Sequence, residues 1–162
     1  MINAAIVGLG WWGRTLVESV QGTSDRIRFV AGATRTQSPE VTAFTSAQKL
    51  KLVGSYEELL ADPGVDAVVL ATPHSMHSRQ VIAAAQAKKH VFCEKPFALT
   101  AIEAQAVVDA AQKAGITLGL GYNRRFHPEM TKLRDRIRSG ELGVVMHVEA
   151  TMTFPHALML KA

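Results

Sequence analysis

One cysteine, Cys93, stands alone among 162 residues, so neither an intramolecular disulfide framework nor a multi-cysteine zinc site can be assembled, and no metal site is read from the chain. Long apolar runs are missing as well. No charge-free stretch approaches the ~18 residues needed to span a bilayer. Met1 to Trp12 is apolar but carries no basic n-region and no small-residue cleavage site, so it reads as a buried first strand and not as a signal peptide. Charge of one sign is in mild excess only, 18 Lys and Arg against 14 Asp and Glu, for a formal net charge of +4. Apart from one basic helix near the C-terminus that excess is scattered, which favours anionic small ligands over nucleic acid. Aromatics are scarce at 6%, and 12 Gly and 6 Pro lie within a chain that is 48% hydrophobic. Those proportions exclude disorder, collagen and low complexity. The expectation is a soluble, cytoplasmic chain of one domain with a short surplus.

What is present alternates between strands and helices. Residues 2–7 form an apolar run ending in glycines, which suits a fully buried parallel strand. A helix from about Trp12 to Val20, with Leu16, Val17 and Val20 inward, and a strand from Ile27 to Ala33 complete a βαβ unit, whose crossover is nearly always right-handed. Ser38 and Pro39 open a helix reaching Gln48, and Ser55 with Glu58 makes a capping box before a helix over 55–61. Val65 to Ala71 reads as a strand, Ser75 to Ala87 as a helix and His90 to Glu94 as a strand. Thr100 with Glu103 caps a helix that stops at Gly115, and Ile116 to Leu120 is a last short strand. The fold class is α/β, a Rossmann doubly wound parallel sheet over residues 1–121.

From Tyr122 the pattern changes. Phe126, Met130, Leu133 and Ile137 share one helical stripe, opposite Arg125, Lys132, Arg134, Arg136 and Arg138. Over 144–154, Met146, Val148, Ala150, Met152 and Phe154 alternate with polar and smaller residues, which predicts a half-buried strand of an antiparallel sheet. One such strand cannot bury its face alone. Residues 122–162 are therefore expected to be the first helix and strand of a truncated α+β C-terminal domain. Its open edge is expected to pair with another copy as a homo-oligomer.

Gly8-Leu9-Gly10-Trp11-Trp12-Gly13 matches G-x-G-x-x-G between the first strand and first helix. The first glycine allows the tight turn, the second lets a pyrophosphate approach the backbone, and the third lets helix pack on strand. Phosphates then sit at a helix N-terminus, where free N–H groups and the dipole favour anions. Trp11 and Trp12 cover the pyrophosphate, or Trp12 fills the core. Dinucleotide domains that take NAD usually carry a carboxylate about 20 residues on. Here Ala33-Thr34-Arg35-Thr36 occupies that place. Thr34 and Arg35 suit a 2′-phosphate, which favours NADP(H) and leaves NAD(H) possible. The other reading of Arg35 is a solvated loop residue.

Three further segments are Ala71-Thr72-Pro73 with His77, Glu94-Lys95-Pro96, and Gly121-Tyr122-Asn123-Arg124-Arg125-Phe126. With the glycine loop, in this order, the chain resembles the Gfo/Idh/MocA oxidoreductases, the glucose–fructose oxidoreductase and inositol dehydrogenase family. The likeness runs through the chain but matches only the first half of a usual member. It implies an NAD(P)-dependent dehydrogenase moving a hydride between nicotinamide and a sugar, cyclitol or related hydroxyl compound. It sets Thr72, Pro73 and His77 along the nicotinamide half and Glu94 at the nicotinamide ribose. Lys95 then reaches into the active site as the catalytic residue, ahead of a bond to Pro96 that is often cis, and Tyr122, Asn123 and Arg124 line the domain junction, Asn123 as a cofactor-binding residue. Without the resemblance, Lys95 reads as an exposed loop lysine and His77 as a surface helix residue.

Relatives also carry an Asp and a His four residues apart in the second domain, the His being the usual acid/base. No such pair exists here, since neither His147 nor His156 follows an Asp at that spacing. Two expectations follow. The chain is part of a dehydrogenase that holds nucleotide without a complete active site, or it is a non-catalytic nucleotide-binding sensor or partner module.

Overall fold

The structure, a computed structural model, describes residues 1–151. Strands β1 (Ile2–Val7), β2 (Ile27–Ala33), β3 (Lys51–Val53), β4 (Ala67–Leu70), β5 (His90–Cys93) and β6 (Leu118–Leu120) form one sheet in the order β3-β2-β1-β4-β5-β6. Every neighbouring pair is parallel. Helices α1 (Trp11–Val20), α2 (Pro39–Ala47), α3 (Tyr56–Ala61), α4 (His77–Gln86) and α5 (Ala101–Ala114) connect the strands.

The apolar run of β1 has a simple cause: it is central and covered on both faces. Ala5 and Val7 enter one core cluster with Leu59 of α3, Val81 and Ala84 of α4 and Val107 of α5. Ala4 and Ile6 enter the other with Val17 of α1 and Val41 of α2. A strand buried on both sides has no polar face to alternate, which is why residues 2–7 read as a continuous block.

The caps explain where the helices begin. The Ser38 hydroxyl accepts from the Val41 N–H at 3.3 Å, with Pro39 in the first turn. In α5 the box is reciprocal: Thr100 Oγ1 accepts from the Glu103 N–H at 3.2 Å, and Glu103 Oε2 from the Thr100 N–H at 3.2 Å. Gly115 closes this helix at φ 69°. In α3 the box is displaced by one residue. Ser55 Oγ accepts from the Glu58 N–H at 3.1 Å, but the Glu58 carboxylate turns to the Gly54 N–H at 3.0 Å.

Several features were not legible in the sequence. β3 is three residues at the sheet edge, too short to show a period. A 3-10 turn, His74–Met76, precedes α4, so the α-helix starts at His77 and not at Ser75. β2 bulges where Ala4 pairs with Phe29 but Ala5 pairs with Ala31. Gln21, just past α1, plugs this irregularity. Its Oε1 accepts from the Phe29 N–H at 2.9 Å, and its Nε2 donates to Phe29 O at 3.1 Å and to Gln48 O at 2.9 Å.

The first compact unit is Met1–Tyr122, and a second begins at Asn123. The second opens with a 3-10 turn, Asn123–Phe126, followed by helix α6 (Pro128–Arg138). The stripe of Phe126, Met130, Leu133 and Ile137, expected from its apolar spacing to be core, is instead exposed at all four positions among the described residues, with Phe126 in the 3-10 turn ahead of α6. Three of the opposing cations are paired, Lys132 with Glu129, Arg134 with Asp135 and Arg136 with Glu141, so this face is of mixed charge. The strand expected over 144–154 is a correction: residues 144–151 form none. A strand is held by ladder hydrogen bonds to a neighbour, and none pairs with this segment among the described residues. Met152, Thr153 and Phe154 of that expected strand, and His156, lie outside the described residues. The strand on which expected self-association rested is therefore not formed among those described.

Candidate functional site

The strand order reverses direction between β1 and β4, and open α/β sheets bind ligands beyond the carboxyl ends of the strands at that point. Gly8 leaves β1 here with φ 95°, and its N–H donates to Ala33 O at 2.8 Å. A Cβ on Gly8 would fall 2.5 Å from the Ala71 carbonyl oxygen at the end of β4. A Cβ on Gly13 would fall 1.9 Å from the Gly8 carbonyl oxygen. Both glycines thus close the loop by backbone-to-backbone approach. Gly10 differs, because nothing lies within 4 Å of its Cβ position. It is also the N-cap of α1, extended at φ −67° and ψ −177°, with no side-chain cap.

The first-turn N–H groups of α1 therefore open onto clear space beside a residue without a side chain. A helix N-terminus without a capping side chain is where an anion is stabilised by N–H groups and the dipole. This cradle, which a side chain at position 10 would enter, fits a diphosphate. Trp11 is 73% exposed at its lip. Trp12, with its ring centroid 5.4 Å from that of Trp11, buries Nε1 without a hydrogen-bond partner among the described residues. An orphaned buried N–H of this kind costs about 1–3 kcal/mol.

At the far end of β2, Thr34 is half-buried and Arg35 is exposed with no ion pair among the described residues. No carboxylate lies between Ala33 and Pro39. Among the described residues Arg35 is thus an unpaired guanidinium on the loop after β2.

The other two segments meet at the ends of β4 and β5. The Glu94 N–H donates to Leu70 O at 3.0 Å, continuing the ladder, and its carboxylate accepts from the Lys95 N–H at 3.2 Å. Glu94 is 6% exposed. Its carboxyl lies against Gly121, where a Cβ would come within 2.7 Å of it. Lys95 is exposed, and the Lys95–Pro96 bond is cis. Thr72 donates its hydroxyl to Gln80 Oε1 at 2.5 Å, and Pro73 is exposed beside it. His77 is fully buried with both ring nitrogens against carbonyl oxygens, so it is not a surface residue and presents no face to the cleft. Gln80 and Gly121 carry no role in the sequence reading, although Gln80 stands one turn after His77 and shares its helix face. Asn123 lies in the opening turn of the second unit.

Cys93, behind Glu94, is not a nucleophile. Burial, with the Glu94 carboxylate adding, pushes its thiol up to about 12. The unfolded chain gives up that proton near the ordinary value of 9.0, so stability is expected to fall as pH rises between the two values. Below that window the native thiol is expected to resist iodoacetamide at pH ~8 and to react once denaturant is added. Rapid labelling of the folded chain would contradict the burial.

Among the described residues no His, Cys, Asp and Glu group is placed to hold a metal, and no helix is long and apolar enough to cross a membrane.

Residues 2–122 match the family described as an oxidoreductase family with an NAD-binding Rossmann fold. Myo-inositol 2-dehydrogenase of Thermotoga maritima is 35% identical over 145 residues, which is 88% of this chain and 42% of that enzyme. D-xylose 1-dehydrogenase (NADP(+)) of Hypocrea jecorina is 36% identical over 140 residues, 83% of this chain and 36% of that one. The crystal structure of scyllo-inositol dehydrogenase from Lactobacillus casei, with bound NAD(H) and scyllo-inositol, matches with a TM-score of 0.80 at 25% identity. It covers 88% of this chain and 42% of that one. The chain spans less than half the length of each of these relatives.

Proposed function

This chain belongs to the oxidoreductase family with an NAD-binding Rossmann fold, and from that premise we propose that it binds a nicotinamide dinucleotide along the carboxyl edge of its sheet, NADP(H) in preference to NAD(H). It does so as the cofactor-holding part of a dehydrogenase for a sugar, cyclitol or related hydroxyl compound. The observation that carries this reading is the open position at Gly10, flanked by two glycines that are closed by backbone contacts.

The diphosphate lies on the first-turn N–H groups of α1, with Trp11 over it. Thr34 and Arg35 take the 2′-phosphate, Arg35 through paired N–H donors. Thr72, Pro73 and Glu94 border the nicotinamide half, where the bound nicotinamide supplies the hydride donor or acceptor. Lys95 is the residue of this chain that acts at the substrate oxygen: its ammonium stabilises negative charge there or passes on its proton. The chain holds no Asp and His at the four-residue spacing of the family's acid/base, so turnover by these 162 residues is expected to be absent.

Both tryptophans of the chain, Trp11 and Trp12, sit on the glycine loop, so their emission reports the site directly. Titration with NADPH is expected to quench it saturably, at a concentration about tenfold or more below that needed for NADH. No change with either dinucleotide at millimolar concentration would remove the proposal. A second expected result concerns Glu94. Gly121→Ala puts a methyl where the Glu94 carboxyl lies, and that flexible end gives way, so stability falls by only about 1 kcal/mol while dinucleotide affinity drops. Unchanged affinity in this variant would separate Glu94 from the cofactor.

A further inference from the structure

His77 is 0% exposed, and a side chain without accessible surface cannot touch a nucleotide. Whatever it contributes passes through its neighbours. Its Nδ1 lies 2.7 Å from the carbonyl oxygen of Pro96, and its Nε2 lies 3.0 Å from the carbonyl oxygen of Thr72. Those carbonyls belong to the two loops that leave β4 and β5, neighbouring parallel strands, at the carboxyl edge of the sheet. Both oxygens only accept, so the ring is the donor: a neutral imidazole serves one at a time and an imidazolium serves both.

Gln80 stands one turn further along α4 and is 5% exposed. Its Oε1 accepts from the Thr72 hydroxyl at 2.5 Å, and its backbone carbonyl accepts from the Tyr56 hydroxyl at 2.8 Å. One face of α4 thus grips Thr72 twice, by carbonyl and by hydroxyl, and reaches across to Pro96, the residue after Lys95. Burying two polar side chains, His77 and Gln80, beside one loop is costly unless each is paired, and here they pair with the segments bordering the cleft.

We propose that His77, seconded by Gln80, is a positioning residue: it sets the distance between the Thr72 loop and the Lys95–Pro96 turn, and so the width of the nicotinamide half of the cleft, without contacting the cofactor. This inference rests on the nucleotide reading above but concerns only its nicotinamide end. Arg35 lies on another loop, and the glycine turn touches this region through Ala71 and the Thr72 backbone N, so loss of His77 is expected to fall more heavily on the nicotinamide half than on the adenosine half.

That separation gives the test. NADPH and 2′-phospho-ADP-ribose, which differ by the nicotinamide alone, are titrated by calorimetry against the unsubstituted chain and against His77→Phe, which keeps a flat ring and removes both contacts. His77→Asn, which restores an N–H donor, is the conservative rescue. The expected result is a loss of about tenfold or more in NADPH affinity for His77→Phe, with 2′-phospho-ADP-ribose within about twofold and partial recovery in His77→Asn. Equal weakening of both ligands, or of neither, in a folded variant overturns the inference. Should His77→Phe not fold, Gln80→Leu is measured in the same way, with the same pattern expected at smaller size and the same outcomes overturning it. If the unsubstituted chain binds neither ligand, the nucleotide reading itself falls and this one with it. If it binds both equally, the nucleotide reading stands and the nicotinamide-side inference falls alone.

Discussion

Gly13→Ala is expected to cost the first unit about 3 kcal/mol or more, lowering Tm by roughly 10 °C, whereas Gly10→Ala leaves Tm within ~2 °C and abolishes dinucleotide binding. The two glycines sit three residues apart in one loop, yet the space around them differs completely. A methyl at position 13 meets the Gly8 carbonyl oxygen at 1.9 Å, which is backbone and cannot swing aside. Relief requires α1 to move off β1, and Val17 of α1 is packed in the core cluster that holds Ile6. Gly8→Ala belongs with Gly13→Ala, since it adds a backbone clash at 2.5 Å to a φ of 95° that L-residues rarely adopt. A methyl at position 10 meets nothing within 4 Å among the described residues. The only thing it can exclude is a ligand lying on the helix N-terminus. Thermal unfolding followed by far-UV circular dichroism reads the first effect, and NADPH titration of tryptophan emission reads the second. A Gly10→Ala chain that binds as the unsubstituted chain does would place the diphosphate elsewhere.

Arg35→Ala is expected to weaken NADPH by about 10–100-fold and to leave NADH within about threefold. A guanidinium exposed at the end of β2, with no carboxylate between Ala33 and Pro39, has no ion-pair partner to lose among the described residues. Its removal should therefore leave Tm unchanged. A 2′-phosphate would lose a charge-assisted contact; a 2′-hydroxyl would not. Salt supplies an independent check, because the attraction is between a surface cation and a dianion. Raising ionic strength should weaken NADPH binding more steeply in the unsubstituted chain than in the variant. If NADPH and NADH weaken together, Arg35 holds something common to both cofactors and the preference has another origin.

Much of this protein was legible because local chemistry and tertiary need coincide. A strand covered on both faces must be apolar throughout, so residues 2–7 announce β1 as a central strand. Capping hydroxyls at Ser38, Ser55 and Thr100 satisfy N–H groups that every helix start exposes, whatever the rest of the fold does. The glycine spacing is likewise local, since a tight turn and a close helix–strand approach both demand the absence of Cβ. Where a feature depended on a distant partner, the sequence could not show it. The alternation over 144–154 is a strand pattern, but a strand exists only as half of a pair, and residues 144–151 have no partner among the described residues. β3 fails for the opposite reason: three residues carry no period, and the edge of β2 makes the strand.

The sequence alone determined which segments could be strands, where the helices begin, and that a glycine turn links the first strand to the first helix. Each of these is decided within a few residues by sterics and hydrogen-bond supply. Tertiary structure decided which of the site residues face the cleft. His77 and Lys95 belong to the same motif set, but packing of α4 against β4 and β5 sends the imidazole inward between two carbonyls and leaves the ammonium outside. That choice depends on a contact between His77 and Pro96, 19 residues apart in the chain, and no local preference encodes such a contact.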